Sequence, residues 1–341
     1  MKKTVIFLLA VLVLAGCQKK TDKPAANKPN AATETALKAI DNPNQGFFLR
    51  YKFTKDKKYQ FRLTNISTSS QYIKADTAIN QQAKQQIIYV VDVTAKEIDK
   101  DSTAELSINI SKIDMTVEAG GKTIKYQAGH VADKKKYAEF EALLNNPFNV
   151  TVSKTGEVTD VFRVDRIVNS LVEIGGGTGK VTTEQKNMIK QQVIESGLKP
   201  ILVQLFRKVP YNAIAKDTTW ENPQPAGKYL SYVIQPANKF KIANLQLLGS
   251  DKVAVIDAGL TAKIKGQEKV SEKGISYDIK KPIVYGEGSV YFNISKGMIQ
   301  KSKTSSRTEM NISMEGPSPK GGKQKLTRKE VTDTMNILEL L

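Results

Sequence analysis

In Glu105-Leu106-Ser107-Ile108-Asn109-Ile110, polar and apolar side chains alternate without a break, and the architecture is anchored to that rhythm. Successive side chains of an extended strand point to opposite faces, so Leu106, Ile108 and Ile110 go one way and Glu105, Ser107 and Asn109 the other. Alternation of this kind marks antiparallel sheet with one face buried and one in water. The run spans Thr103 to Val117, and Gly120-Gly121 then supplies the positive-φ pair of a tight hairpin into Lys122 to Ala128.

The same period recurs on both sides. Upstream lies a strand over Gln86 to Ala95. Before it, Leu49, Tyr51 and Phe53, a turn at Lys55 to Lys57, and then Tyr59, Phe61 and Leu63 predict a hairpin with one aromatic face. Downstream, Lys134 to Asn145 switches to helical spacing, with Tyr137, Phe140, Leu143 and Leu144 on one stripe. Phe148 to Ser153, the Lys154-Thr155-Gly156 turn and Glu157 to Phe162 form another hairpin.

Three helices follow. Val164, Ile167, Val168, Leu171 and Val172 fit the i, i+3, i+4 pattern; Thr182 with Gln185 offers a capping box for a helix ended by Gly197; and Pro200 to Lys208 carries a third apolar stripe. After Trp220 the strands resume: Tyr229 to Gln235, Lys239 to Leu248, Lys252 to Lys263, Ile283 to Ser295 and Met298 to Met314. Gly316 to Lys325 reads as a loop, and Leu326 to Leu341 as strand or helix, with a closing strand the favoured reading. The fold class is therefore α+β, mainly antiparallel β, with a curved sheet or sheets around a central helical block.

A faint echo links the two β regions. Phe148-Asn149-Val150 through Gly156 resembles Phe292-Asn293-Ile294 through Gly297, and Asp101 to Ile113 resembles Asp251 to Ile264. Two similar β halves would produce this, and so would any two unrelated hairpins. The chain divides as residues 47–162, a first β-rich half with one helix; 163–210, the helical block; and 211–341, the second β-rich half.

The 341 residues are 40% apolar, enough for a sizeable core in one large domain or two moderate ones. One His and one Cys exclude a metal site built from several such ligands and any internal disulfide. Gly175-Gly176-Gly177-Thr178-Gly179-Lys180 suggests a phosphate cradle but has Ile174 and Val181 where the P-loop needs Gly and Ser or Thr, and it follows a helix. It reads as an interhelix linker. His130 sits in a loop with no Cys or Ser nucleophile in a recognisable setting. Asp99 and Asp101 could pair as carboxylates for glycoside hydrolysis, but turn chemistry explains them as well. Trp220 suits either the core or a headgroup layer. No enzyme is expected, and no cofactor.

At the front, Lys2 and Lys3 precede an apolar run from Val5 to Val13, too short for the roughly 20 residues of a spanning helix. Leu14-Ala15-Gly16-Cys17 follows, with small residues before the only cysteine, whose thiolate is the one good nucleophile for alkylation. This block resembles the lipobox of bacterial lipoproteins. The resemblance implies a signal peptide over 1–16, cleavage between Gly16 and Cys17, and a diacylglycerol and further acyl chain such as palmitate on Cys17. Gln18, where an Asp would retain the protein in the inner membrane, favours the outer membrane of a two-membrane cell, and Lys19 and Lys20 favour its periplasmic face. Residues 17–46, rich in Lys, Asn, Ala and Pro, read as a flexible tether, with a short helix at Thr33 to Ala39 as one option.

An excess of 52 basic over 34 acidic residues gives a net charge of +18, reduced only by two when the leader goes. Export makes nucleic acid a poor partner. Anionic headgroups are available to these charges, and a solvated surface also accounts for them. The element order resembles β-rich envelope lipoproteins of unassigned function and, more distantly, the lipoprotein-carrier group, in which a curved half-barrel covered by helices encloses a hydrophobic cavity. Two readings follow. One is a non-catalytic lipoprotein binding an apolar or amphipathic ligand between sheet and helices, in a space that the stripes at Tyr59, Phe61 and Leu63 and on the three helices could line; the other is a scaffold with a solid core that contacts another envelope protein. A connected void between sheet and helices separates them.

Overall fold

The computed structural model describes residues 37–40, 44–177, 179, 181–272, 274–317 and 322–341. The leader, Gly16 and Cys17 lie outside the described residues. The chain forms β1 (Lys38–Ala39), β2 (Lys58–Lys74), β3 (Ala78–Ile98), β4 (Ala104–Ala119) and β5 (Lys122–Gln127). A 3-10 turn at Lys134–Tyr137 leads into α1 (Ala138–Leu143), followed by the hairpin of β6 (Phe148–Val152) and β7 (Val158–Phe162). Next come α2 (Asp165–Ile174), α3 (Thr183–Gln192) and α4 (Lys199–Leu205). The remaining strands are β8 (Thr219–Pro223), β9 (Gly227–Tyr229), β10 (Tyr232–Leu248), β11 (Asp251–Gly266), β12 (Lys269–Glu272), β13 (Ile275–Ile279), β14 (Ile283–Asn293), β15 (Met298–Pro317) and β16 (Lys323–Leu340).

These strands make one open, curved, antiparallel sheet whose main path is β1-β10-β11-β14-β15-β16-β2-β3-β4-β6-β7. The two β regions are thus halves of one sheet. Their seam is β16, which pairs with β15 on one side and with β2 on the other, from Thr327 opposite Lys74 to Leu340 opposite Phe61. The expected closing strand at Leu326 to Leu341 is a strand, but a central one.

Several expectations need correction. Leu49 and Tyr51 are buried, at 0% and 2% exposure, yet they form no hairpin with β2. Both edges of β2 are already taken by β3 and β16. The segment instead threads between two hairpin turns, with Tyr51 N–H donating to Lys154 O at 2.8 Å and Lys52 N–H to Gly297 O at 2.9 Å. Alternation there reports burial and says nothing of the backbone partner.

β2 and β3 also run far beyond the expected limits, through the Ser, Thr, Asn and Gln stretch between Thr64 and Gln86. A ladder needs only backbone groups and cross-strand neighbours, so it continues where the apolar code stops. For the same reason Gly316 to Lys325 is mostly strand on either side of residues 318–321, which lie outside the described residues. Lys38–Ala39 is not helical but pairs with Leu247 and Gln246 of β10, so the end of the expected tether docks on the sheet edge.

The helical block forms as its pattern predicts, with one difference. At its start, Gln185 N–H donates to Thr182 Oγ1 at 3.2 Å and Thr182 N–H donates to Gln185 Oε1 at 2.9 Å, completing the capping box. Gly197 does not end the helix. A π-helical turn over Val193–Leu198 carries the chain into α4, and Pro200 at its first turn needs no N–H partner there.

The helices cover one end of the inner face of the sheet. With Ser302 of β15 and Tyr89 of β3 between them, Ile256, Val290, Leu338, Leu63 and Ile113 share one row across β11, β14, β16, β2 and β4, these five all 3% exposed or less. Leu198, Ile201, Leu202 and Leu205 from above join them in one hydrophobic cluster. Each such side chain contributes roughly 1.5–3 kcal/mol on burial. A smaller cluster of Tyr232, Ile279 and Ile312 closes the far end.

Candidate cavity between sheet and helices

Moving one inward-facing row along the strands changes the chemistry. On β11 Ile256 gives way to Ala258; on β14 Val290 is followed by Gly288 and Gly286; on β15 come Thr304 and Ser306; on β16 Leu338 gives way to Asn336; on β2 Leu63 gives way to Asn65. Gly286 has no room for a side chain, since a Cβ there would lie 2.5 Å from the Ser305 carbonyl oxygen. Large apolar groups are thus replaced by small or polar ones on β11, β14, β16 and β2, while β15 between them carries Ser302 and then Thr304, and the helical layer above cannot fill the gap.

The result is a cavity of about 770 Å³ between the inner face, β7 and the α3–α4 arm. Its apolar walls include Ile194, Leu202, Val203, Phe206 and Leu260, and its polar ones Gln204, Asn238, Thr304, Ser306 and Asn336. Asn336 Oδ1 accepts from Asn65 Nδ2 at 2.7 Å, so that pair is satisfied without a ligand. The volume lies inside the roughly 300–1,000 Å³ of small-molecule sites.

Four basic residues line it. Lys190, Lys199 and Lys208 each meet a carboxylate, Asp165 at 3.4 Å, Glu195 at 2.6 Å and Glu157 at 2.8 Å, all at exposed positions. Arg207 differs. Its guanidinium donates from Nη2 to Gln204 Oε1 at 2.8 Å, while its Nε is shielded from solvent and has no hydrogen-bond partner among the described residues. Burial pulls its pKa below the ordinary arginine value, opposed by nearby Tyr51.

The Arg207 main chain is fixed independently of its side chain. Tyr51 Oη accepts from Arg207 N–H at 2.9 Å and donates to Arg207 O at 3.2 Å. Tyr51 is itself held edge-on by Phe206 and Phe292, with ring centroids 6.0 and 5.2 Å away, and burial pushes its hydroxyl pKa far above the usual tyrosine value. Under Arg207 the floor toward Trp220, Phe240 and Phe292 is packed, leaving only about 10 Å³.

The residues weighed for catalysis do not converge on this site. His130 is exposed in the loop after β5. Asp99 and Asp101 are exposed at the β3–β4 turn, where Asp101 accepts from Thr103 N–H at 3.1 Å. Gly175 to Gly177 follow α2 in the link to α3, and Thr178 and Lys180 lie outside the described residues. Trp220 is half-buried, stacked on Phe240 at 5.2 Å, with Nε1–H donating to Lys208 O. Sequence reading offered the stripes at Tyr59, Phe61 and Leu63 and on the three helices as walls of the ligand space; the first three are packed core, whereas Leu202 and Phe206 of the helical block line the cavity. It missed Arg207 and the small-residue strip, whose signal was the coordinated drop in side-chain size on successive strands. Among the described residues no helix is long and apolar enough to cross a membrane.

Comparison with known proteins gives two family matches. The description of a prokaryotic membrane lipoprotein lipid attachment site matches residues 1–18, and the chain is a lipid-anchored lipoprotein of the bacterial cell envelope. No curated protein matches. Among solved structures, one described as lipid–protein interactions in lipovitellin is 11% identical, aligned over 85% of this chain and 25% of that one with a TM-score of 0.44, so the chain spans about a quarter of its length. Pseudomonas aeruginosa OpdK with vanillate is 6% identical over 81% of this chain and 98% of that one, TM-score 0.16. Acinetobacter baumannii OccAB4 is 8% identical over 84% and 99%, TM-score 0.14. Similarity this low says nothing of activity. The second family match covers residues 101–299, more than half of the chain, and by it the protein belongs to a family of unknown function (DUF6263).

Proposed function

We propose that the protein is a non-catalytic envelope lipoprotein that holds an amphipathic ligand between its sheet and the α3–α4 arm. The observation that carries this reading is the 770 Å³ cavity and its mixed lining. A wholly apolar slot would suit a hydrocarbon, and a polar one a sugar or ion; a surface of both kinds suits a molecule with a tail and a head. The exposed settings of His130, Asp99 and Asp101, away from the cavity, support a role without catalysis.

In this reading Cys17 carries the diacylglycerol after cleavage behind Gly16, and acyl chains add about 0.8 kcal/mol per buried methylene. Gln18, Lys19 and Lys20 support the outer membrane and its periplasmic face in a two-membrane cell. Partners are then the membrane through the anchor and a lipid-like ligand, with no nucleic acid.

Mass spectrometry of lipid extracted from protein released from its anchor tests the ligand. One amphiphile at near-stoichiometric amount is expected. Protein that carries none, at full occupancy of the folded state, returns the scaffold reading. Cys17→Ser tests the address, and membrane retention equal to wild type would overturn it.

A further inference from the structure

Arg207 is a half-buried cation on the cavity wall to which no described residue supplies a counterion. A guanidinium taken out of water costs free energy unless it is paired, and proteins normally supply the pair. Here the three lysines of the cavity have carboxylate partners within 4 Å, whereas no described residue supplies one to Arg207. Its Nη2 is steadied by Gln204 and its Nε is shielded from solvent, so an anion in the cavity meets the donor fork on the part that faces the cavity. Such a fork matches the oxygens of a carboxylate or phosphate in planar, two-bonded geometry. Beside it begins the strip of Ala258, Gly286, Thr304 and Ser306, which can accommodate a chain but offers no second cation.

We propose that Arg207 anchors the anionic head, a carboxylate or phosphate, of a single-chain amphiphile whose tail lies along this strip. The proposal rests on the cavity being a ligand site and adds the charge of the head, the residue that reads it and the end of the cavity where it sits. The Tyr51 clamp fixes the Arg207 main chain and the Nη2 bond to Gln204 steadies its guanidinium. The Tyr51 clamp holds only main-chain atoms, so a side-chain substitution at 207 leaves it intact.

The test is photo-crosslinking of the full lipidated chain in nanodiscs of zwitterionic phospholipid. Three diazirine-tailed probes of equal chain length are compared, a fatty acid, a lysophosphatidate and the corresponding neutral fatty alcohol. Labelled peptides are mapped, and those containing Val203 or Ser306 report the cavity. The acid probes should label these peptides roughly tenfold more than the alcohol, the worth of one hydrogen bond to a charged group. Arg207→Gln should bring acid labelling down to the alcohol's level while alcohol labelling stays. Arg207→Lys, which keeps the charge and loses the fork, should retain part of the preference.

Equal labelling by acid and alcohol in the wild type overturns the anchor and leaves the cavity reading standing. No cavity labelling by any probe overturns the cavity reading itself. Excess inorganic phosphate competes for the same guanidinium and should bring acid labelling down to the alcohol's level; phosphate that binds while no tailed probe labels the cavity overturns the amphiphile assignment. Should Arg207→Gln fail to fold, the wild-type comparison and Arg207→Lys still decide the question.

Discussion

The two ends of the same strands behave differently. Where β2, β14 and β16 carry Leu63, Val290 and Leu338 inward, the helices sit down on them and the core is solid. Further along the sheet, where β11, β14, β15 and β16 carry Ala258, Gly286, Thr304 and Asn336, the pairing continues unbroken but the space above is open. Backbone hydrogen bonding is therefore indifferent to what the side chains do, and packing is not. The lesson is that this sheet is a ruler, and side-chain size read along it decides which part is core and which part is site.

That contrast can be broken most strongly at the packed end. Leu338→Ala removes a side chain 1% exposed beneath α4 and should cost about 2–5 kcal/mol in chemical denaturation. A loss under 1 kcal/mol would mean that the helices do not clamp this row.

The next effect lies at the turn that borders both regions. Gly156 has φ +79°, and a Cβ would meet the Tyr51 ring and lie 2.6 Å from Arg207 O. Gly156→Ala should cost about 2 kcal/mol, since a left-handed backbone alone costs an L-residue roughly 1–2 kcal/mol. It should also reduce ligand retention, because the Arg207 main chain would shift. Unchanged stability would separate the turn from the Tyr51 clamp.

A smaller effect is set by pH. Asp92, on the outer side of the packed end, is raised by burial, but hydrogen bonds from Gln60 at 2.7 Å and from Lys58, 3.0 Å away, outweigh this and hold its pKa below the usual carboxylate value. A depressed folded-state pKa contributes stability above the unfolded value near about 3.9, lost as pH falls through the folded one. Asp92→Asn should therefore cost about 1 kcal/mol at pH 7 and nothing at pH 2. An equal cost at both would assign the effect to packing.

The smallest stability effect belongs to the open region. Ser306→Leu places a large side chain in empty space and should change stability by less than about 0.5 kcal/mol, while the lipid recovered by extraction should fall severalfold. A destabilisation like that of Leu338→Ala would show the region to be packed after all.

Much of the fold was legible because local chemistry decided it. The Gly120-Gly121 and Lys154-Thr155-Gly156 turns, the alternation through Ile110 and the Thr182–Gln185 box are short-range features, and each formed where it was read. Leu49 to Phe53 was misread because alternation is shared by any chain with one buried side, in a ladder or not. The polar halves of β2 and β3 were missed because their side chains carry no apolar code, and Gly197 because the next turn could absorb it as a π-helical step.

Composition, the apolar rhythm and the block at Cys17 were enough to establish a β-rich body on a lipid anchor, because address signals and strand periodicity are written in neighbouring residues. Tertiary structure alone decided that the C-terminal strand joins the halves, that small and polar residues of β11, β14, β15 and β16 line one cavity, and that Arg207 lines it with no carboxylate partner among the described residues. Those outcomes depend on residues hundreds of positions apart meeting across a sheet, where only the folded register says which side chains become neighbours.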